Sequence, residues 1–215
     1  MGLFITFEGP DGAGKSTQLK LMAAYLKQFG YDVLCTREPG GTNIGDQIRR
    51  VVLDADNREM STQAEILLYS ASRAQLVEEV ILPHLAGDGV VLCDRYADSF
   101  YAYQGYGRQM DFETLRFITR FATQNLKPDL TIYLDLAVEQ GLQRRKVANK
   151  GGQGEWNRLD QLEVAFHQRV RAGYQAMIEA EPERWLVVDG STSIEVTHQA
   201  ICHRLADVLS QQRRT

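Results

Sequence analysis

The stretch Gly9-Pro10-Asp11-Gly12-Ala13-Gly14-Lys15-Ser16-Thr17 constrains this chain more than any other. It reads G-x-x-x-x-G-K-S, a phosphate-cradling pattern, and its flanks supply the context such a loop needs. Ahead of it, Leu3-Phe4-Ile5-Thr6-Phe7 is apolar enough for a strand buried on both faces. Behind it, Leu19, Met22, Ala23 and Leu26 recur at helical spacing, so a helix opens at the loop. Gly9, Gly12 and Gly14 permit backbone conformations closed to other residues and turn N–H groups inward. Those donors and the helix N-terminus favour a polyanion. Lys15 adds a mobile charge for β- and γ-phosphates, and the Ser16 hydroxyl suits Mg²⁺. The ligand implied is a nucleoside triphosphate such as ATP.

Four further apolar runs share the character of the first: Val33-Leu34-Cys35-Thr36, Val90-Val91-Leu92-Cys93, Leu130-Thr131-Ile132-Tyr133-Leu134 and Trp185-Leu186-Val187-Val188. They alternate with helical stretches, which predicts an α/β fold: a five-stranded parallel sheet with helices on both faces. A length of 215 residues fits a single domain over 1–215. One helix is expected over 63–82, stopped by Pro83, with Leu67, Leu68, Ala71 and Ala74 as its core stripe. Another should turn Leu115, Ile118, Phe121 and Ala122 inward. A further one is lined by Leu162, Phe166, Val170, Gly173 and Met177. Thr192 with Glu195 reads as a capping box for the last helix, which buries Ile201, Leu205, Val208 and Leu209.

Polar chemistry gathers where the strands end, the edge at which parallel sheets bind ligands. The second run leads into Arg37-Glu38-Pro39-Gly40-Gly41-Thr42, and the third into Asp94-Arg95-Tyr96. Asp94 suits the second contact to Mg²⁺, direct or through water. Arg95 offers a planar fork to a second phosphate. Ser99-Phe100-Tyr101-Ala102-Tyr103-Gln104-Gly105 is rich in aromatic and hydrogen-bonding groups for a surface segment. Tyr69 and Arg73 lie four apart on one helix face, where spacing alone makes them an exposed aromatic and a solvated charge. Arg144-Arg145-Lys146, the glycine-flanked stretch over 147–154 and Arg158 together read as a mobile lid at about 144–158.

The formal net charge of −4 and the lack of a long basic stripe argue against nucleic acid as a partner. No apolar run approaches the length of a membrane span. The N-terminus enters a strand without a basic region and cleavage site, so no secretion signal is expected. Cys35, Cys93 and Cys202 are odd in number and far apart, and two sit in strand-like runs. They are expected as buried free thiols in a reducing cytoplasm. The four histidines show no ligand spacing.

Taken together, the phosphate loop over 9–17, the turn over 37–42, the triplet Asp94-Arg95-Tyr96 and Ala102-Tyr103-Gln104-Gly105 resemble the thymidylate kinase family in order and spacing. The resemblance spans almost the whole chain. It implies transfer of the γ-phosphoryl of ATP to dTMP on a nucleoside monophosphate kinase-like fold, Mg²⁺ as cofactor, and a homodimer. It also implies residue roles. Tyr69 matches an aromatic, usually Phe, that stacks on thymine, and Arg73 an arginine that hydrogen-bonds the base. Arg95 matches the arginine holding the dTMP phosphate, Asp11 an acid near the sugar 3′-hydroxyl, and Glu38 a carboxylate beside the acceptor. Tyr103 matches a tyrosine disfavouring a ribose 2′-hydroxyl, while Ser99 and Gln104 line the same wall. Some members place an arginine in the phosphate loop where this chain has Gly12. Its catalytic set is therefore expected to be Lys15, Arg95 and the lid residues Arg144 and Arg158. Many bacterial relatives carry Asp-Arg near the lid's end, where this chain has Asn157-Arg158. The rival readings are a kinase of another nucleotide or deoxynucleoside and a GTPase-type switch. The switch reading requires Asn-Lys-x-Asp, and Asn149-Lys150-Gly151-Gly152 lacks the acid.

Overall fold

The computed structural model describes residues 2–151 and 157–212, with side chains up to 209. Strand β1 (Leu3–Glu8) leads through the phosphate loop into helix α1 (Lys15–Gln28), and β2 (Val33–Arg37) follows. Next come α2 (Asn43–Leu53), α3 (Thr62–Leu76), α4 (Leu82–Ala86) and β3 (Val90–Asp94). Helices α5 (Ala97–Phe100) and α6 (Phe112–Thr123) precede β4 (Leu130–Asp135). The chain continues with α7 (Val138–Lys150), α8 (Val164–Ala180), β5 (Trp185–Asp189) and α9 (Ile194–Gln212).

The five strands form one parallel sheet in the order β2-β3-β1-β4-β5. β1 is central and buried along its whole length. Its alternation decides what each face carries. Leu3, Ile5 and Phe7 join Leu19, Met22 and Leu26 of α1 and Ile201 and Leu205 of α9 in one cluster. Phe4 packs on the opposite face with Leu76, Val77, Ile81 and Tyr96. Glu8 continues the Phe4–Thr6 face, and so meets Tyr174 of α8.

The expected strands all form, and each runs one residue further, into the polar residue that ends it. The edge position of β2 corrects one expectation. Cys35 is exposed, because no second neighbour flanks this strand, while Cys93 on β3 is fully buried.

The helices depart more. Pro83 does not stop the helix: α3 passes through a wider turn at Val77–Ile81 into α4, whose first turn contains Pro83. The regular helical ladder is already interrupted by the wider turn just where proline brings no N–H, so the helix runs on through it. The core stripe of α3 is also shifted. Leu67 is 60 % exposed and Ala71 is exposed, while Ile66, Ser70, Arg73 and Leu76 face inward. Polar residues on the buried face hid the true period. On α6, Leu115 and Ala122 are buried but Phe121 is 82 % exposed. Ser193, not Thr192, caps α9, accepting from Val196 N at 3.3 Å. The expected flexible stretch is helical over 147–150, and its 152–154 part lies outside the described residues. The aromatic run over 99–105 is largely buried rather than superficial.

Candidate active site

At the phosphate loop the backbone sets the geometry. Gly9 and Gly12 adopt φ of 133° and 82°. A Cβ at Gly9 would collide with the Leu134 carbonyl; one at Gly12 would lie 2.8 Å from Gly141 O and 3.1 Å from Arg144 Cβ. α7 thus closes the space that a loop arginine would need, and Arg144 itself stands there. Lys15 Nζ donates to the carbonyls of Gly9 and Pro10 at 3.1 and 2.9 Å. Burial and the nearby Arg95 guanidinium lower its pKa. Ser16 Oγ donates to Asp94 Oδ2 at 2.5 Å. A hydroxyl and a carboxylate side by side at a phosphate loop are hard oxygen donors of the kind Mg²⁺ takes.

A second cationic end lies across from the loop. Arg95 follows β3 in the left-handed region, at φ 69°, which turns the chain from strand to α5. Its Nη2 donates to Asp11 Oδ1 at 2.9 Å, and its Nη1 to Ser99 Oγ at 2.9 Å. The guanidinium lies 5.2 Å from the centre of the Tyr103 ring. Asp11 also stands 3.6 Å from Lys15 Nζ. Burial alone would raise the Asp11 carboxyl, but Arg95 and Lys15 outweigh it and hold it well below the usual carboxylate range.

Behind Arg95 is a group that the sequence reading missed. Glu8 is fully buried and receives Tyr96 N, Ser99 N, Ser99 Oγ and Tyr174 OH at 2.8, 3.3, 2.5 and 2.8 Å. Burial and neighbouring Asp98 push its carboxyl up to about 7 despite these donors. The signal was present, since Glu8 ends β1 as Asp94, Asp135 and Asp189 end theirs.

The third wall carries Arg73, Tyr69 and Gln104. Glu38 grips Arg73 through Nε and Nη2, at 2.9 and 2.6 Å to its Oε2. Burial would lower the Arg73 pKa, but Glu38 more than offsets it. Arg73 Nη1 is buried without a hydrogen-bond partner. Tyr69 is half-buried between two apolar clusters, not the exposed aromatic that spacing alone suggests, and Arg73 is only 2 % exposed. Gln104 Nε2 donates to Glu65 Oε1 at 3.0 Å. Glu65 was also missed; it lies in the first turn of α3, where an acid is ordinary, so nothing distinguishes it by sequence alone.

The lid arginines divide. Arg144 lines the cavity and donates to the carbonyls of Gly12 and Gly190 at 3.2 and 3.0 Å. Arg158 corrects the expectation. It is 8 % exposed, bonded to Glu65 Oε2 and to Val52 O, and is not a lining residue of the cavity. A buried carboxylate holds its charge, so it does not stand at the phosphate end.

Lys15, Ser16, Asp94, Arg95, Arg73, Tyr69, Gln104 and Arg144 all line one cavity of about 650 Å³. Two facing cationic ends, one built on a phosphate loop, are what phosphoryl transfer between nucleotides requires. Fold and cavity together define a phosphate-loop nucleotide kinase. The family model for thymidylate kinase matches residues 7–201. A thymidylate kinase of Roseiflexus castenholzii is 54 % identical over 209 residues, covering 94 % of this chain and 91 % of its own. That of Thermomicrobium roseum is 48 % identical over the full length of both. The crystal structure of thymidylate kinase from Ehrlichia chaffeensis superposes with a TM-score of 0.76 at 29 % identity, over 95 % of this chain and 98 % of that one. This chain belongs to the thymidylate kinase family.

Proposed function

We propose that this chain transfers the γ-phosphoryl group of ATP to dTMP, giving dTDP on the route to dTTP, with the roles that follow. The observation that carries this reading is the line Lys15–Asp11–Arg95. One carboxylate stands 3.6 Å from a donor-side cation and 2.9 Å from an acceptor-side one. Arg95 holds the acceptor phosphate in line, and Ser99, backed by Glu8, holds Arg95. Residues 9–17 wrap the ATP phosphates. Lys15 and Arg144 neutralise charge on the transferred group; Arg144 suits this because its described partners are neutral carbonyls. Ser16 and Asp94 would hold Mg²⁺, Asp94 directly or through water, and the ion supplies charge neutralisation at the phosphates. No general base is required, because a phosphate monoester oxygen is already largely ionised at neutral pH.

At the nucleoside, Tyr69 stacks on thymine while Arg73, steadied by Glu38, and Gln104 read its edge. Asp11 lies near the sugar 3′-hydroxyl, and Tyr103 crowds a ribose 2′-hydroxyl. The chain works as one domain, and its 144–158 segment closes over the phosphates to exclude water. Exposed Leu67 on α3 and Phe117 and Phe121 on α6, at 60, 68 and 82 %, support a homodimer through these two packed helices. Free cysteines support residence in the cytoplasm, and no helix among the described residues is long and apolar enough to cross a membrane.

ADP formation measured side by side with dTMP, dUMP, thymidine and no acceptor tests the reading. dTMP should drive it, and dUMP, lacking one methyl, should run roughly 10–200-fold less efficiently. Thymidine brings no phosphate to Arg95 and should give background. Turnover that ignores the acceptor, or that prefers thymidine, overturns the reading.

A further inference from the structure

Glu65 of α3 is 1 % exposed and makes no contact of its own with the phosphate loop among the hydrogen bonds and ion pairs of the described residues. Its carboxylate gathers Gln104 Nε2 at 3.0 Å, Arg108 Nη2 at 3.0 Å and Arg158 Nη2. Burial would raise this carboxyl, but the hydrogen bonds from Gln104, Arg108 and Arg158 outweigh it and keep it ionised. An ionised carboxylate only accepts hydrogen bonds. The Gln104 amide must therefore turn its NH₂ toward Glu65. Gln104 lines the cavity, and its Oε1 has no protein hydrogen-bond partner among the described residues. Arg73 lines the same cavity with Nη1 as a buried donor without a partner. The wall thus carries one acceptor and, closed off from solvent beside it, one donor with a hydrogen bond still to make.

We propose that Glu65 is the positioning residue for base selectivity: by fixing the Gln104 amide, it makes the pocket take 4-oxo pyrimidines and refuse 4-amino ones. The inference rests on the dTMP reading above. Thymine offers N3–H to an acceptor and O4 to a donor. Cytosine reverses both, presenting an acceptor at N3 and an amino group at C4. Against an amide that cannot rotate, cytosine leaves buried groups facing like groups, and such mismatches discriminate more strongly than a missing methyl does. A neutral amide at position 65 can donate or accept, which frees Gln104 to turn its NH₂ to cytosine N3. Glu65 reaches the base only through Gln104.

The test is the ratio of kcat/KM for dTMP to that for dCMP, in the wild type, Glu65→Gln, Gln104→Ala and the double variant. The wild type should favour dTMP by roughly 10³-fold or more. Glu65→Gln should cut this ratio about tenfold or more by releasing one fixed buried hydrogen bond. It should raise KM for dTMP and leave KM for ATP unchanged. In the Gln104→Ala background the same change should leave the ratio within about twofold, since its route is gone. General structural damage lowers both rates alike and leaves the ratio where it was. If Glu65→Gln does not fold, Glu65→Asp is read the same way: it keeps the charge but reaches one methylene less far. A ratio retained in the folded variant overturns the role of Glu65. A wild type without preference for dTMP over dCMP overturns the base assignment beneath it.

Discussion

The two ends of the cavity are held by different means. At the donor end the backbone does the positioning: nine consecutive residues, with Gly9 and Gly12 in conformations other residues avoid, shape the loop, and Lys15 bonds two carbonyls of that loop with Asp11 of the same loop 3.6 Å away. At the acceptor end side chains hold side chains over long separations. Glu38 grips Arg73 from 35 residues away, Glu65 holds Gln104 from 39, and Glu8 supports Ser99 from 91. A backbone cradle reads the shape and charge of a polyphosphate and little else. Paired side chains can read a base, at the cost of buried charges that need their partners. Loss of a single group should therefore cost rate at the donor end and both affinity and stability at the acceptor end.

Lys15→Ala is the sharpest break at the donor end. It should lower kcat about 10³-fold, as loss of a charge aimed at the transferred group typically does. Thermal unfolding should be nearly unchanged, because the side chain bonds only to its own loop. A folded variant with near-normal turnover would remove the donor assignment. Glu38→Ala is the matching break at the acceptor end. It strands a guanidinium that is 2 % exposed, which should cost on the order of 3–5 kcal/mol of folding stability in denaturant titration. Stability close to the wild type would show that Arg73 finds another partner.

The lid arginines sharpen the contrast within one segment. Arg144→Ala should lower kcat tenfold or more, about 1.4 kcal/mol, with little change in unfolding. Arg158→Ala should lower stability, because it leaves Glu65 short of one charge partner. The chemical step should change less than in Arg144→Ala. Saturating-substrate rates and melting curves for both proteins decide this, and reversed behaviour would return Arg158 to the phosphate end.

The same contrast explains what could be read from sequence. The donor end is local, so its spacing announced it, and the strands were legible because burial on both faces leaves unbroken apolar runs. β2 showed the limit: its run looks buried, yet Cys35 is exposed because the strand lies at the sheet's edge. α3 was misread for a reason tied to the site. Its inward face carries Ser70, whose hydroxyl turns back to Ile66 O, and Arg73, which lines the cavity, while Leu67 points out. A stripe chosen by hydrophobicity therefore settles on the wrong residues. Glu65 and the burial of Arg158 depend on contacts between residues 93 apart, and neither residue type signals them. Phe121 belongs with them: its helical spacing matches that of buried Leu115 and Ala122, yet it is 82 % exposed.

If one cavity holds two separate phosphate-binding ends, Lys15 serving the donor and Arg95 the acceptor, loss of Arg95 should touch one nucleotide and spare the other. Calorimetric titration of dTMP and, separately, of ATP into wild type and Arg95→Ala tests it most directly. Loss of a charged hydrogen-bonding group should weaken dTMP by about 2 kcal/mol, roughly thirtyfold in Kd, and leave ATP within about twofold. Weakened ATP binding with dTMP affinity unchanged would contradict this division.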